Sequence, residues 1–256
     1  PRFRKFGTAR SDSAVIALSD QAWPCACDWD GDGDWDLLVG GGYGWPRILI
    51  NDGDNTRPAF GEPQFILADG KPIRILRDEV LGGEHWHNMG YPFPVSIDWD
   101  ADGLSDLMLP NETNRIFWYK NIGTRRSPAF GRRRQIICDG FPDSPARRAQ
   151  SRRLAGDRDV PNHPYPYERD RPFFWRTGVA FADWTGDGLV DLVTHDGHVR
   201  KATLFAQYRA AGGRLRLRKV GPLKLGDGRL IDDSIVAREA HWTESFRAAD
   251  WDGDGL

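Results

Sequence analysis

Four short acidic segments recur along the chain and contain the residues best suited to chemistry. Three are nine residues long, with aspartate at the first, fifth and ninth positions, and glycine stands at the sixth position of all four. Carboxylates at alternate positions of a tight loop, with a backbone carbonyl at the seventh, surround one cation with hard oxygen atoms, which suits Ca²⁺. The predicted calcium ligands are Asp28, Asp30, Asp32, Asp34 and Asp36; Asp98, Asp100, Asp102, Leu104 and Asp106; Asp183, Thr185, Asp187, Leu189 and Asp191; and Asp250, Asp252 and Asp254.

The copies differ in ways that change the expected affinity. Thr185 replaces the second aspartate of the third copy, so that loop has one negative charge less and is expected to bind Ca²⁺ more weakly. The fourth copy ends at Leu256, before its ninth position. An acidic surface turn is the alternative interpretation, because aspartate and glycine both favour turns. Four copies in the same register favour a calcium loop.

A second set of reactive side chains lies in the segments between these loops. All six histidines fall there, several of them beside tyrosine, tryptophan or arginine. Histidine and tyrosine can abstract and return protons, and the arginine fork binds carboxylates. A base, an acid and a neutralising positive charge are what β-elimination of a uronate polysaccharide requires. The candidate catalytic residues are His85, His87, Tyr91, His163, Tyr165, Tyr167, Arg171 and Arg176.

A transition-metal site is a weaker alternative for the histidine pair. His85 and His87 stand at alternate positions, as two ligands on one side of a strand would. The spacing supplies no third ligand, so a catalytic metal there is not favoured.

The acidic loops belong to a longer repeat whose elements must position these residues. The loops start 70, 85 and 67 residues apart, and each unit has an apolar run before the loop and three after it. Asn51 and Asn121 follow 23 residues after the first two starts, where the third copy has Ala206. Four short strands per unit predict an all-β chain, a β-propeller of four-stranded antiparallel blades.

The repeat divides the chain into about four blades, of which the first and last are incomplete. The predicted units are approximately 1–67, 68–138, 139–220 and 221–256, all within a single propeller domain. Because a propeller closes into a ring, usually with more blades than this, the chain is expected to be a piece of a longer protein.

The connections of such a blade divide the candidate residues between two faces. One face has the acidic loops and the asparagine turns. The second face has the long passages between blades and the links 40–46, 110–114 and 195–198. Together these links and passages include all six histidines. Function is therefore expected on the second face. The tryptophan after the first aspartate of each copy is expected to pack between neighbouring blades.

The acidic loops resemble the calcium loops of FG-GAP and VCBS repeats, a family that includes integrin-like propellers and many secreted bacterial carbohydrate proteins. The resemblance covers all four units and implies one structural Ca²⁺ per loop. In fold type and residue kinds, the chain also resembles the propeller-type polysaccharide lyases. That resemblance implies His85 or His87 as base or acid, Tyr165 or Tyr167 as its partner, and Arg171 or Arg176 as the carboxylate clamp.

Charge and composition weigh against several other classes of protein. The formal net charge is −2, and no nucleic-acid-binding motif accompanies the arginine-rich stretch from Arg125 to Arg176, so nucleic acid is not an expected partner. The apolar runs are too short for membrane insertion. Cys25, Cys27 and Cys138 do not imply a disulfide framework and are expected to be packed thiols.

Two functions remain open from the sequence. The first is a calcium-stabilised propeller that cleaves acidic polysaccharide by β-elimination. The second is a non-catalytic propeller that binds glycans or protein partners in adhesion, and an enzyme of another class, such as a dehydratase, is a third. Because calcium loops suit a compartment rich in free Ca²⁺, an extracellular, periplasmic or cell-surface location is expected.

Overall fold

The computed structural model describes residues 10–11, 14–15, 22–77, 89–113, 115–141, 172–173, 178–196, 201–232, 235 and 246–249. Within these ranges the chain forms β-strands and one short 3₁₀ turn, Ala211–Gly213, and it has no α-helix. The prediction of an all-β chain is confirmed for this part. No helix in it has the length and apolar character needed to cross a membrane.

Three four-stranded antiparallel sheets follow one another along the chain, with a short hairpin before the first and another after it. The first hairpin has β1 (Arg10–Ser11) and β2 (Ala14–Val15). The first sheet has β3 (Pro24–Cys27), β4 (Asp36–Val39), β5 (Arg47–Leu49) and β6 (Gln64–Phe65). The second hairpin has β7 (Leu67–Ala68) and β8 (Lys71–Pro72).

The second and third sheets repeat the plan of the first. The second sheet has β9 (Val95–Ile97), β10 (Asp106–Pro110), β11 (Ile116–Tyr119) and β12 (Arg134–Gln135). The third sheet has β13 (Ala180–Ala182), β14 (Asp191–His195), β15 (Ala202–Arg209) and β16 (Leu215–Pro222). In all three sheets, each strand pairs with the next strand along the chain.

The side chains of the second sheet alternate between two cores, one shared with each neighbouring sheet. Along β10, Leu107 and Leu109 pack with side chains of the first sheet, whereas Met108 packs with side chains of the third. Strand β11 alternates in the same way between Phe117 and Ile116. A strand buried on both faces needs apolar residues at successive positions, and this explains the continuous apolar run that follows each acidic loop.

The tryptophans of the acidic loops help to fill these spaces. Trp99 is 2% exposed and meets the Phe181 ring of the third sheet edge-on at 6.0 Å. The Trp29 ring lies 5.4 Å from the Phe130 ring, which belongs to the second unit. The predicted packing role is confirmed for these two tryptophans. Trp184, the third, is 44% exposed within the described part of the chain.

The three sheets fall within the first three predicted units, although β16 passes the boundary at residue 220 by two residues. The described residues of the fourth unit, 221–232, 235 and 246–249, include the end of β16 and no sheet of their own. All three cysteines are free thiols, and Cys27 and Cys138 are buried. Burial raises the pKa of Cys138 to about 12, which suits a packed thiol.

Candidate functional site

Each acidic loop joins the first two strands of its sheet, and its glycines permit the turn. The glycine at the sixth position has a left-handed backbone in all three loops, with φ of 97° at Gly33, 90° at Gly103 and 82° at Gly188. A side chain is strained at such angles, so this position favours glycine. The fourth position is also left-handed, and the second loop has Ala101 there at φ 58°. That loop therefore contains local strain that the other two lack.

Two aspartates hold each loop in shape by accepting backbone hydrogen bonds. The first aspartate accepts from the N–H of the sixth residue, at 3.4 Å in the first loop and 2.8 Å in the second and third. The fifth-position aspartate accepts from the N–H two residues later, at 2.9, 3.0 and 3.0 Å. The loops thus fold in the same way whether position seven is aspartate, as in the first, or leucine, as in the second and third.

The ninth-position aspartate ties the loop to the third strand. Asp36, Asp106 and Asp191 are buried, and each accepts a hydrogen bond from a backbone N–H just beyond the third strand or within it. The donors are Asn51, Asn121 and Gln207. This carboxylate has a structural role in addition to any role as a metal ligand.

The third unit differs from the spacing expected from the sequence. Gln207, rather than Ala206, donates to the ninth-position aspartate, so the third unit is one residue longer between these two points. The asparagine of the first two units closes the turn that follows. Its Oδ1 accepts from the N–H groups of Gly53 and Ala59 in the first unit. Gln207 instead donates its side-chain amide to the Trp99 carbonyl of the second loop, at 3.1 Å.

The first loop brings three carboxylates together. Oxygen atoms of Asp28, Asp30 and Asp32 lie within 4.8 Å of one another. Asp30 Oδ1 is buried and accepts no hydrogen bond within the described part of the chain. Burial and the nearby charge of Asp32 raise the pKa of Asp30 above its usual value. Arg125 of the second unit donates to Asp28 at 3.1 Å, and this bond lowers the pKa of Asp28 although burial opposes it.

The second loop has an equivalent cluster with a cation of its own. Oxygen atoms of Asp98, Asp100 and Asp106 lie within 4.8 Å of one another, and Asp100 Oδ1 is buried without a hydrogen-bond partner in the described residues. The Lys120 ammonium donates to Asp100 and also to Asp102, at 2.5 Å. These bonds raise the pKa of Lys120 although burial opposes them. The bond from Lys120 lowers the pKa of Asp102.

Asp106 is the most strongly shifted carboxyl group of the second loop. Burial raises its pKa to about 6, while hydrogen bonds from the Asn121 N–H and the Trp118 indole partly offset that effect. The Trp118 bond is 2.8 Å long. A carboxylate at this depth is stabilised by a nearby cation.

The third loop has no carboxylate cluster comparable to those of the first two. The third has Thr185 in place of a carboxylate, and no three of its acidic side chains lie as close together as those of the first two loops. Asp183 accepts hydrogen bonds from three backbone N–H groups of the loop. The fourth-loop residues Asp250, Asp252 and Asp254 lie outside the described residues.

Side chains from the next sheet hold the first two loops. Arg125 reaches Asp28 from the second unit, and Arg209 of the third sheet donates to the Asp100 carbonyl at 2.6 Å. A pocket of about 400 Å³ opens beside the first loop, between Trp35 and Arg125. The loops therefore lie at the boundaries between sheets.

The segments predicted for the second face meet one another. Gly90, at the end of the first long passage, donates to the Gly42 carbonyl at 3.2 Å and accepts from the Glu112 N–H at 3.0 Å. Arg77 is the last described residue before the same passage. Its guanidinium group lies 3.7 Å from the Glu112 carboxylate, and both side chains are largely buried. The passage is thus attached to the link 110–113 at both ends.

Most of the candidate catalytic residues lie outside the described residues. These are His85, His87, His163, Tyr165, Tyr167, Arg171 and Arg176. Tyr91 is described and is buried, with its hydroxyl 2.8 Å from the Met89 sulfur. His195 is buried at the end of β14, its ring 4.9 Å from the Phe246 ring. Of the eight candidate catalytic residues, Tyr91 alone is among the residues that the structure describes.

Three residues of the loop surroundings were not anticipated from the sequence. Each of them contacts an acidic loop from outside that loop. The contacts span 18 residues for Lys120, 97 for Arg125 and 108 for Gln207. Lys120 had one available signal, since it directly precedes Asn121, where the first unit has Ile50. No local pattern marks Arg125, because its contact spans two units.

Comparisons with known proteins do not identify the chain. No protein-family model matches it, and no curated protein matches it. Among solved structures, it is similar to a chain of the Photorhabdus luminescens Tc holotoxin pore, with 18% sequence identity and a TM-score of 0.37. The match covers 82% of this chain and 7% of that one. A similarity of this size supports no conclusion about function.

Proposed function

We propose that this chain is part of a calcium-stabilised β-propeller of the FG-GAP/VCBS type, acting outside the cytoplasm, whose acidic loops hold structural Ca²⁺. One observation carries the proposal. The third-position aspartate of the first loop, Asp30, has a buried oxygen that accepts no hydrogen bond within the described residues, beside two other carboxylates. Asp100 of the second loop also has such an oxygen, although Lys120 bonds its other oxygen. A buried carboxylate oxygen without a donor is unfavourable unless a cation compensates it.

The donor set fits Ca²⁺ better than a transition metal. All of the clustered atoms are carboxylate oxygens, and hard oxygen ligands in a loop suit Ca²⁺. The ion would supply positive charge between the first two strands of a sheet. The aspartates at the first, fifth and ninth positions hold the loop in place through backbone hydrogen bonds.

The propeller assignment is supported by the way the sheets stack. Each sheet is a four-stranded meander, and the second sheet packs one face on the first sheet and the other on the third. Blades of a propeller stack face to face in this manner, since no blade buries both faces alone. Further blades, beyond the described sheets, would close the ring.

Calcium binding is tested by calorimetric titration and by thermal melting in excess chelator. Saturating Ca²⁺ stabilises a folded state by about 2.7 kcal/mol at one hundred times the dissociation constant, so chelation should lower the melting temperature by several degrees. Asp30→Asn should weaken binding at the first loop. Asp52→Asn, which changes an exposed acid in the connection between β5 and β6, outside the acidic loop, is the matched control. An unchanged melt in chelator would refute the proposal.

The ligand we propose for this propeller is an acidic, uronate-containing polysaccharide. The second candidate function, in addition to calcium-stabilised binding, is cleavage of that polysaccharide by β-elimination. The observation that favours catalysis is the attachment of the His85 and His87 passage to the second face at both ends, through Arg77–Glu112 and Gly90. The described residues on both sides of the two histidines therefore lie at the face where a base and an acid would be needed.

The two functions are separated by an elimination assay on the calcium-loaded chain with uronate polysaccharides. Elimination produces unsaturated uronate ends that absorb ultraviolet light. His85→Ala and His87→Ala should abolish the signal. Arg132→Gln, which changes an arginine whose side chain is 90% exposed and which is not a candidate catalytic residue, should leave it unchanged. A polymer that binds but gives no absorbance change would establish the non-catalytic function.

A further inference from the structure

The pocket beside the first acidic loop has no part in the calcium sites or in the proposed elimination. Its volume of about 400 Å³ lies within the range of small-molecule binding sites. We call it the inter-sheet pocket, because residues of the first two units line it together. Those that matter to its chemistry are Asp28 and Trp35 of the first unit and Ser105, Arg125 and Phe130 of the second.

The inter-sheet pocket has a packed floor and an open rim. Phe130 is buried in the core between the first two sheets, and its ring lies 5.4 Å from the Trp29 ring. At the rim, Trp35 is 56% exposed and the Arg125 side chain is 74% exposed. Further blades would stack on the free faces of the first and third sheets, so they would leave a pocket between the first and second sheets open.

The Trp35 backbone is held in place at the rim. Asn55, in the connection between β5 and β6, accepts a hydrogen bond from the Trp35 N–H at 2.7 Å and donates to the Gly33 carbonyl at 3.0 Å. Within the described residues, no arginine, lysine or aromatic ring stacks on the Trp35 indole. An exposed aromatic ring on an ordered backbone can stack on a ligand with little loss of conformational entropy.

An ion pair beside the pocket supplies hydrogen-bond donors and an acceptor. The Arg125 guanidinium group donates to the Asp28 carboxylate at 3.1 Å through one terminal nitrogen. Guanidinium N–H groups next to carboxylate lone pairs match adjacent hydroxyl groups, each of which both donates and accepts. Asp28 balances the charge of Arg125, and the Asp30 and Asp32 carboxylates lie close to Asp28. The pocket therefore favours a neutral ligand over an anion.

These features are particular to the boundary between the first two sheets. Trp35 is the eighth residue of its loop, where the second loop has Ser105 and the third has Val190. Arg125 stands four residues after Asn121, and the residue four after Gln207 in the third unit is Ala211. The repeat alone thus requires neither the exposed indole nor the ion pair.

We propose that the inter-sheet pocket binds one neutral sugar residue of a glycan. One apolar face of the sugar stacks on the Trp35 indole, because sugar C–H groups pack well against the electron-rich face of an aromatic ring. The sugar hydroxyls bond the Asp28–Arg125 pair and the Ser105 hydroxyl. This non-catalytic site goes beyond the elimination proposed for the second face, since it lies beside an acidic loop and selects hydroxyls rather than a carboxylate.

Calorimetric titration of the full chain in excess Ca²⁺ tests the assignment. The probes are galactobiose and cellobiose, two neutral disaccharides with different hydroxyl stereochemistry. Trp35→Ala should weaken binding of the probe that binds about tenfold, and it retains the backbone N–H that bonds Asn55. Trp35→Phe keeps a ring and should give a smaller loss. Arg125→Met removes the hydroxyl donors but keeps an apolar stem, and it should also weaken binding.

Trp184→Ala is the matched control, because it removes a tryptophan of the third loop that is 44% exposed and lies outside the pocket. Its affinity for the neutral disaccharide should equal that of the unmodified chain. Digalacturonate, the acidic probe for the second face, should bind independently of Trp35.

Two results would overturn the assignment of the inter-sheet pocket. The first is equal disaccharide affinity for the unmodified chain and for Trp35→Ala with an unchanged melting temperature, which would place the sugar elsewhere. The second is an unmodified chain that binds neither galactobiose nor cellobiose. Calcium binding and elimination would stand after either result, because the chelator melt and the absorbance assay test them separately.

Discussion

At the scale of single residues, Lys120 distinguishes the second acidic loop from the first. Its ammonium group bonds Asp100 and Asp102 and supplies positive charge that the first loop does not receive from Ile50. An internal cation at this place competes with Ca²⁺ for the same carboxylates. Two loops with nearly the same aspartates should therefore differ in calcium affinity.

Lys120→Ile should raise the calcium affinity of the second loop about tenfold or more, because no ammonium group then competes with Ca²⁺ for Asp100 and Asp102. The calcium-free variant should melt at a lower temperature, since the carboxylates then repel each other without a counter-ion. Calorimetric titration measures the affinity. Lys71→Met, which removes an exposed lysine of β8 outside the acidic loops, is the control and should leave the calcium affinity and the melting temperature unchanged. Equal affinities for Lys120→Ile and the unmodified chain would show that Lys120 does not compete.

Asp106 offers a pH-dependent measurement of the same loop. Its folded pKa of about 6 lies above the unfolded value of about 3.9, so its contribution to calcium-free stability is present at low pH and is lost as pH rises from about 4 to about 6. Bound Ca²⁺ should lower this pKa, because a cation favours the carboxylate. Carbon-13 NMR of the carboxyl group measures both states.

The control for this titration is Asp227, an exposed carboxyl group whose pKa the hydrogen bonds from Arg229 hold below the usual value. Calcium should leave the Asp227 titration unchanged. If Ca²⁺ changes the pKa of neither carboxyl group, Asp106 is not close to a bound ion.

The carboxylates of each loop could be located from the sequence because they lie within nine residues of one another, whereas their distant partners could not. Position and residue type define Asp28 to Asp36 within nine residues. Arg125 reaches that loop from 97 residues away, and no local pattern encodes such a distance. Gln207 was missed for a different reason, since one extra residue in the third unit shifts the expected spacing.

At the scale of elements, the alternation of β10 and β11 explains why the sheets stack. These two strands send successive side chains into different cores, so the second sheet depends on both neighbours for burial. The four apolar runs of each unit predicted these strands, because both faces of the inner strands must be apolar. The long passages had no such constraint, and the sequence could not define their paths.

Trp99→Ala should destabilise the chain by about 3–5 kcal/mol, because it empties a large space between the second and third sheets. Denaturant unfolding in saturating Ca²⁺ measures the loss. Trp184→Ala removes the equivalent side chain of the third loop, which is 44% exposed, and should cost less than about 1 kcal/mol. A similar loss for the two variants would mean that Trp99 does not fill this space in solution.

At the scale of the whole molecule, calcium binding and sheet stacking are expected to be coupled. Arg209 and Gln207 of the third sheet hold backbone carbonyls of the second loop, while Arg125 of the second unit holds Asp28 of the first. An ion that orders one loop therefore also orders the side chains that reach it from the next sheet. The coupling free energy should be reciprocal, so a well-packed neighbour should increase the calcium affinity of the loop.

Hydrogen exchange measured by mass spectrometry tests this coupling. Ca²⁺ should slow exchange not only in residues 98–105 but also in β15, whose residues Gln207 and Arg209 contact that loop. Arg209→Gln should leave protection of the loop by Ca²⁺ largely intact and reduce the added protection of β15, because one of the two connections is lost. Arg218→Gln, on the neighbouring strand β16, is the control and should preserve both effects. Protection confined to the loop in the unmodified chain would mean that each loop binds calcium independently and that the sheets are held together by their apolar cores alone.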